Sequence, residues 1–320
     1  VPPAVSILMP TFNRLEFVPP AIESVFAQSF TDWELIIADD GSGTDTRAYL
    51  QSLTHPRVRV LYMAHSGKPP IMLNAALRVA RGEFVAFLDS DDVWLPRKLE
   101  LQVASLRRQP GRRWGCTAFA LIDAAGHPLA AARIGWPAVS GQVRDRLFTD
   151  AVIATPSVIA TRSLLQQVGP FDEELAMNYE GDMWLRFAEL SELDGIDEPL
   201  TLVRRHGRHG GSDIIAWRDL RRVIEKAQRA GGDAHFIAML REQRAVTSAG
   251  LARSHALFGR RIDVVRTLVK SAPYSWCYLQ WWRVGAYATA RAFAPRVLFS
   301  ALRALRTRLR TRPAGPRACP

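Results

Sequence analysis

The sequence predicts an α/β protein: a doubly wound, mostly parallel sheet followed by a basic helical region. Three observations carry this. Short apolar runs such as Glu34-Leu35-Ile36-Ile37-Ala38 and Phe84-Val85-Ala86-Phe87-Leu88 show no polar alternation, as expected of strands buried on both faces. They alternate with segments of helical periodicity, the pattern of parallel βαβ units, over roughly residues 1–105. Charge also divides the chain: from Trp217 onward there are 21 Lys/Arg against 5 Asp/Glu, whereas the preceding residues carry 21 against 26.

Taken in order, residues 4–9 read as a first strand and Pro10-Thr11-Phe12-Asn13-Arg14 as the loop leaving it. Pro19 and Pro20 suit the opening turn of a helix that places Ile22, Val25 and Phe26 toward a core. Strands follow at 34–38 and 58–62, then a helix at 72–81. Gly82 fits a left-handed stop between that helix and a strand at 84–88. An amphipathic helix buries Leu99, Val103 and Leu106, and 114–122 is a further strand. Residues 126–150 read as a variable excursion and 151–161 as extended. Residues 168–172 form a turn, and a helix runs from Met183 to Leu190 after Tyr179-Glu180-Gly181-Asp182. Beyond 212 the helices are 217–230, 235–258 and one from 260 that breaks at Pro273. The implied divisions are 1–105, 106–212 and 213–320.

Cys116, Cys277 and Cys319 are too far apart for a disulfide framework or a metal motif and fit a reducing compartment. No signal peptide and no spanning helix are expected.

The chemistry concentrates at strand ends. Asp39-Asp40 follows the second strand, and Asp89-Ser90-Asp91-Asp92 follows the run at 84–88. In an open α/β sheet, ligands bind beyond the carboxyl ends of the strands. Carboxylates crowded there need a cation or strong donors to offset them. A divalent metal holding a phosphorylated ligand is the expectation.

Four stretches in this order carry a family likeness: VSILMPTFNRLEFVPPAIESVFAQSFTDWELIIADDGS, the helix containing Asn74, RGEFVAFLDSDDVWLP, and VGPFD followed by YEGDMWLR. Over roughly residues 4–210 the chain resembles the family 2 glycosyltransferases of the GT-A fold. The resemblance implies transfer of a sugar from a nucleotide-diphosphate donor to an acceptor hydroxyl, with inversion and with Mn²⁺ or Mg²⁺ as cofactor.

It further implies that Pro10, Thr11, Phe12, Arg14, Asp40, Lys68, Asp89, Ser90 and Asp91 face the donor. Phe12 would stack on the base and Asp40 would hydrogen-bond it, while Asp39 accepts turn N–H groups. Asp91, Asp89, Asp92 and His206 are the metal candidates. Asp92 also suits a capping role before the next helix. Glu180 would be the catalytic base, with Asp182 two residues on either sharing that work or capping the helix. Arg205 could offset phosphate, and the Gly-rich loop 206–211, with His209, could close over donor.

In the basic region, aromatics beside Arg over 271–312 suit a membrane interface, the other readings being a helical bundle packed on the catalytic body or solvated basic faces. The family resemblance implies a carbohydrate or lipid-linked acceptor, which makes a protein peripheral to the cytoplasmic membrane face the expectation. No nucleic-acid recognition motif accompanies the charge. The rival readings are a sugar-nucleotide pyrophosphorylase, which should show a Gly-rich loop where Pro10-Thr11-Phe12-Asn13-Arg14 stands, and a donor-binding module without catalysis.

Overall fold

A computed structural model of the chain describes residues 1–129, 137–150, 152–206 and 213–293. It comprises two compact units, Val1–Gly211 and Ser212–Pro320.

In the first unit β1 (Val5–Thr11), α1 (Val18–Phe26), β2 (Trp33–Asp39), α2 (Thr44–Ser52), β3 (Val58–Tyr62), α3 (Pro69–Val79) and β4 (Phe84–Phe87) form the wound half. The second half contains β5 (Val93–Trp94), α4 (Lys98–Arg108), β6 (Trp114–Ile122), β7 (Val158–Thr161), α5 (Arg162–Val168), α6 (Tyr179–Ala188) and β8 (Leu193–Arg204). Among the described residues the strands make one eight-stranded sheet, ordered β3-β2-β1-β4-β7-β6-β8-β5. β3, β2, β1 and β4 are mutually parallel, and β7 then pairs antiparallel with both β4 and β6.

Alternate strand residues enter two cores, which explains the unbroken apolar runs. Leu8, Ile36, Val85 and Phe87 pack with Met72 and Leu73 of α3 and Trp184 and Phe187 of α6. Ile7, Met9, Leu35 and Ile37 pack with Ile22 and Val25 of α1 and Leu99, Val103 and Leu106 of α4.

Several expectations need correction. Phe26 is not in the core: it is exposed at the end of α1, stacked 4.8 Å from His55. Gly82 is not a left-handed stop, since α3 ends at Val79 with an extended cap and Gly82 is not among the positive-φ glycines. Its need is steric, because a Cβ there would lie 2.5 Å from the Ser6 nitrogen and 2.7 Å from the Phe84 carbonyl. Residues 155–157 form a 3₁₀ turn closed onto the Ala154 carbonyl by the Ser157 N–H and hydroxyl. The Pro156 carbonyl within that turn accepts from Trp94 Nε1.

Lys98 is wholly buried, its ammonium 4.1 Å from the Trp94 ring centroid and donating to Gln102 Oε1 at 2.7 Å. Burial holds its pKa well below the ordinary lysine value. The unfolded chain therefore binds more protons than the native state between that depressed value and about 10.4, and native stability rises with pH across this window. Lys98→Met should remove that rise. Urea melts at a series of pH values should show wild type gaining on the variant by up to about 1.4 kcal/mol per pH unit toward pH 10. A pH-independent difference overturns the assignment.

The second unit comprises α7 (Asp213–Ala230), α8 (Ala234–Leu257), α9 (Arg261–Ser275) and α10 (Leu279–Phe293). Asp233 caps α8 by accepting the Phe236 N–H. Pro273 does not break its helix: α9 carries it inside its last turn and ends at Ser275. Among the described residues no helix is long and apolar enough to cross a membrane. Residues 294–312, Cys319 and the expected loop at 207–211 lie outside the described residues.

Candidate active site

Register brings the acids together. Thr11 pairs with Asp39 and Leu8 with Phe87, so β1, β2 and β4 end side by side and release Phe12, Asp40 and Asp89 at one rim. A cavity of about 480 Å³ opens there. Of the residues expected to face donor, Pro10, Thr11, Phe12, Arg14, Asp40, Asp89, Ser90 and Asp91 line it, and Glu180 joins them from α6.

Asp91 is paired with Arg14, and its Oδ2 lies 2.8 Å from His206 Nε2. The same imidazole nitrogen is 2.9 Å from Arg14 Nη1, and Phe17 stacks on the ring at 4.7 Å. The Asp89 side chain has no hydrogen-bond or ion-pair partner among the described residues. Burial first, then Asp91 and Glu180, push its pKa up to about 7 against the opposing pull of Arg14. Asp92 departs from the metal-ligand expectation. It is buried outside the cavity lining, accepting the Arg204 N–H at 2.7 Å, and α4 is capped at Arg97 rather than by Asp92.

Asp40 ties down the loop after β3. Its Oδ1 accepts from the Ser66 N–H (2.8 Å) and hydroxyl (2.9 Å), and its Oδ2 accepts from the Gly67 N–H (2.8 Å). Asp39 accepts the Ser42 N–H, as expected of a turn acid. Phe12 stacks on His65, with centroids 4.1 Å apart, a partner too distant along the chain for any local pattern to signal. Lys68 does not face the cavity, since its ammonium donates to the Glu173 carbonyl at 2.9 Å.

α6 begins at Tyr179 after Asn178 in the left-handed region, so both acids sit inside the helix rather than ahead of it. Glu180 is in the first turn, where the helix N-terminus favours its ionised form. Burial opposes this and raises its pKa. Its Oε2 is buried with no hydrogen-bond partner among the described residues, and Thr11 Oγ1, in the same lining, is in the same condition. Such orphaned polar atoms are uncommon and mark positions a ligand can satisfy. Asp182 neither caps the helix nor faces the cavity. It is buried and paired with Arg186 at 2.9 Å, one turn on, and Arg186 also donates to the Val168 carbonyl closing α5. Tyr179 carries no signal of its own in the sequence; it lines the cavity, and burial plus the charges of Glu180, Asp89 and Asp91 keep its phenol protonated.

Among the described residues, no three His, Cys, Asp or Glu side chains form a cluster able to hold a metal alone. Mg²⁺ and related hard cations need no such cage: one or two carboxylates suffice when substrate phosphates complete the shell. Asp89 and Asp91 fit that arrangement, because their crowding calls for a cation.

Residues 6–112 match the family model described as glycosyl transferase family 2. An uncharacterized glycosyltransferase of Rickettsia felis is 30% identical over 204 residues, covering 63% of this chain and 33% of that protein. The Escherichia coli UDP-Glc:alpha-D-GlcNAc-diphosphoundecaprenol beta-1,3-glucosyltransferase WfgD is 37% identical over 102 residues, 32% of this chain and 40% of that one. The chain spans about a third of the length of the curated relatives matched first. In three dimensions, S. aureus TarS 1–349 in complex with UDP-GlcNAc superposes with a TM-score of 0.63 at 17% identity, covering 90% of this chain and 88% of that one. The fold is therefore the expected GT-A α/β architecture with a helical C-terminal region.

Proposed function

We propose that this chain is a family 2 glycosyltransferase, moving a sugar from a nucleotide diphosphate to an acceptor hydroxyl by inverting single displacement. The observation that carries the reading is the cavity in which Asp89, Asp91 and Glu180 converge with Arg14 at the carboxyl ends of β1 and β4. Phe12, with His65 behind it, offers a flat surface for a base, and the orphaned Thr11 hydroxyl a polar contact beside it. Glu180 takes the acceptor proton as the new C–O bond forms on the face opposite the leaving diphosphate. This route needs no enzyme nucleophile, unlike double displacement. Tyr179 and Arg205, both in the lining, offer donors to donor or acceptor oxygens.

Asp89 and Asp91 would hold Mn²⁺ or Mg²⁺, with His206 fixing Asp91 from behind. When bound, the cation neutralises the charge that builds on the departing diphosphate. A lipid-linked acceptor is supported by the activity in WfgD's name. The pyrophosphorylase alternative lacks support, since Pro10-Thr11-Phe12-Asn13-Arg14 leaves β1 without a Gly-rich turn.

The test is thermal denaturation with a panel of UDP-, GDP- and dTDP-sugars, each with and without Mn²⁺. A cognate donor at a hundred times its Kd should stabilise the fold by about 2.7 kcal/mol. If no nucleotide sugar shifts the melting point with or without Mn²⁺, the proposal fails.

A further inference from the structure

The second unit leaves large apolar residues on the outside of α9 and α10. Toward α8 these helices bury small and hydroxylated residues, among them Thr267, Ser271, Ser275, Gly285 and Ala288. Val264, Leu268 and Trp281 also pack inward, but a second set of large apolar residues points away from that seam. On α9 and its C-cap, Ile262, Val265, Val269 and the capping Trp276 are exposed, with Ile262 at 75% and Trp276 at 65%. On α10 the outward row is Leu279 (73% exposed), Trp282, Ala286 and Phe293. Both rows step by three, four and seven residues, so each is a continuous stripe along its helix. The Trp282 indole donates to the Trp276 carbonyl at 2.7 Å, tying the start of one stripe to the end of the other.

Charge identifies what covers the stripes. Exposed Arg261, Arg266, Lys270 and Arg283 stand on the two helices, and Asp263 is the only acid between residues 261 and 293. A second copy would bring cations against cations, whereas a helical seam between copies calls for flanking charges of both signs. The chain's own residues 294–320 carry seven Arg and no acid, so they bring no complementary charge to this face. A bilayer surface with anionic headgroups satisfies both features: apolar rows and tryptophans enter the acyl boundary, and the cations meet lipid phosphates.

We propose that the outward face of α9 and α10 docks on an anionic lipid surface. This shifts the expected membrane contact from 271–312 back to include the whole of α9, and it does not depend on the sugar-transfer reading.

The test is flotation of the full chain with vesicles of phosphatidylcholine alone or mixed with phosphatidylglycerol. Wild type should float with the mixed vesicles and weakly or not at all with the neutral ones. Val265→Asp/Val269→Asp and, separately, Arg266→Glu/Lys270→Glu should each reduce binding by about tenfold or more while the helical circular dichroism is retained. Brominated acyl chains should quench wild-type tryptophan emission, and Trp276→Phe/Trp282→Phe should lose most of that quenching. Failure of wild type to bind phosphatidylglycerol vesicles overturns the proposal, as does equal binding by both variants. A wild-type dimer in light scattering that Val265→Asp/Val269→Asp dissociates assigns the face to a second copy instead.

Discussion

Glu180→Gln is expected to lower the transfer rate by about 10²–10⁴-fold, the range a positioned general base contributes, while donor affinity stays close to wild type. The substitution keeps the shape and puts an amide where Oε2 is now buried without a partner, so the fold has no reason to yield. The change also removes one of the like charges that raise Asp89, whose pKa should fall back toward the ordinary carboxylate range. A pH signature accompanies it. Burial raises the Glu180 pKa, and a base works only when ionised, so wild-type rate should fall as pH drops through that raised value. Steady-state kinetics across pH, with calorimetry for donor binding, checks both points. Asp182→Asn is the comparison: its loss unpairs Arg186 and should show first in the melting temperature. A Glu180→Gln enzyme with wild-type rate sinks the base assignment. Loss of donor binding together with rate would show that Glu180 holds substrate rather than a proton.

How legible was this site in the sequence? The strand-end acids were, because charge following a doubly buried apolar run has few structural uses. Their partners were mostly not. Arg14 reaches Asp91 across 77 residues, Arg204 reaches Asp92 across 112, and Lys68 reaches the Glu173 carbonyl across 105, separations with no local signal. One pairing could have been found, since Asp182 and Arg186 are one helical turn apart and such pairs read directly from spacing. The same contrast holds for the fold. β2 and β6 were evident from their apolar runs, whereas β8 contains Asp194, Gly195, Asp197, Glu198 and Pro199 and pairs with β6 through an irregular register near Ala118. Such composition argues for a loop, and only the neighbouring strand makes it a ladder. The seven-residue α5 is too short for its periodicity to stand out.

Asp91→Asn tests the cation end of the site. On the proposed reading, the diphosphate of a donor enters a lining that already holds Asp40, Asp89, Asp91 and Glu180, with Arg14 engaged by Asp91. Those carboxylates disfavour tight binding of a diphosphate without added positive charge. A cation shared between phosphates and Asp91 supplies it, and an amide is a far poorer ligand for Mn²⁺ than a carboxylate. Donor affinity in the presence of Mn²⁺ should therefore fall at least tenfold, about 1.4 kcal/mol. Affinity without metal should hold or rise slightly, because one like charge has gone and Arg14 is released toward the phosphates. The two titrations, run by calorimetry on each protein, thus diverge, affinity falling only with metal present, and a merely damaged fold cannot produce that pattern. If Mn²⁺ strengthens donor binding equally in both proteins, Asp91 is no ligand, and its contacts with Arg14 and His206 are its whole role.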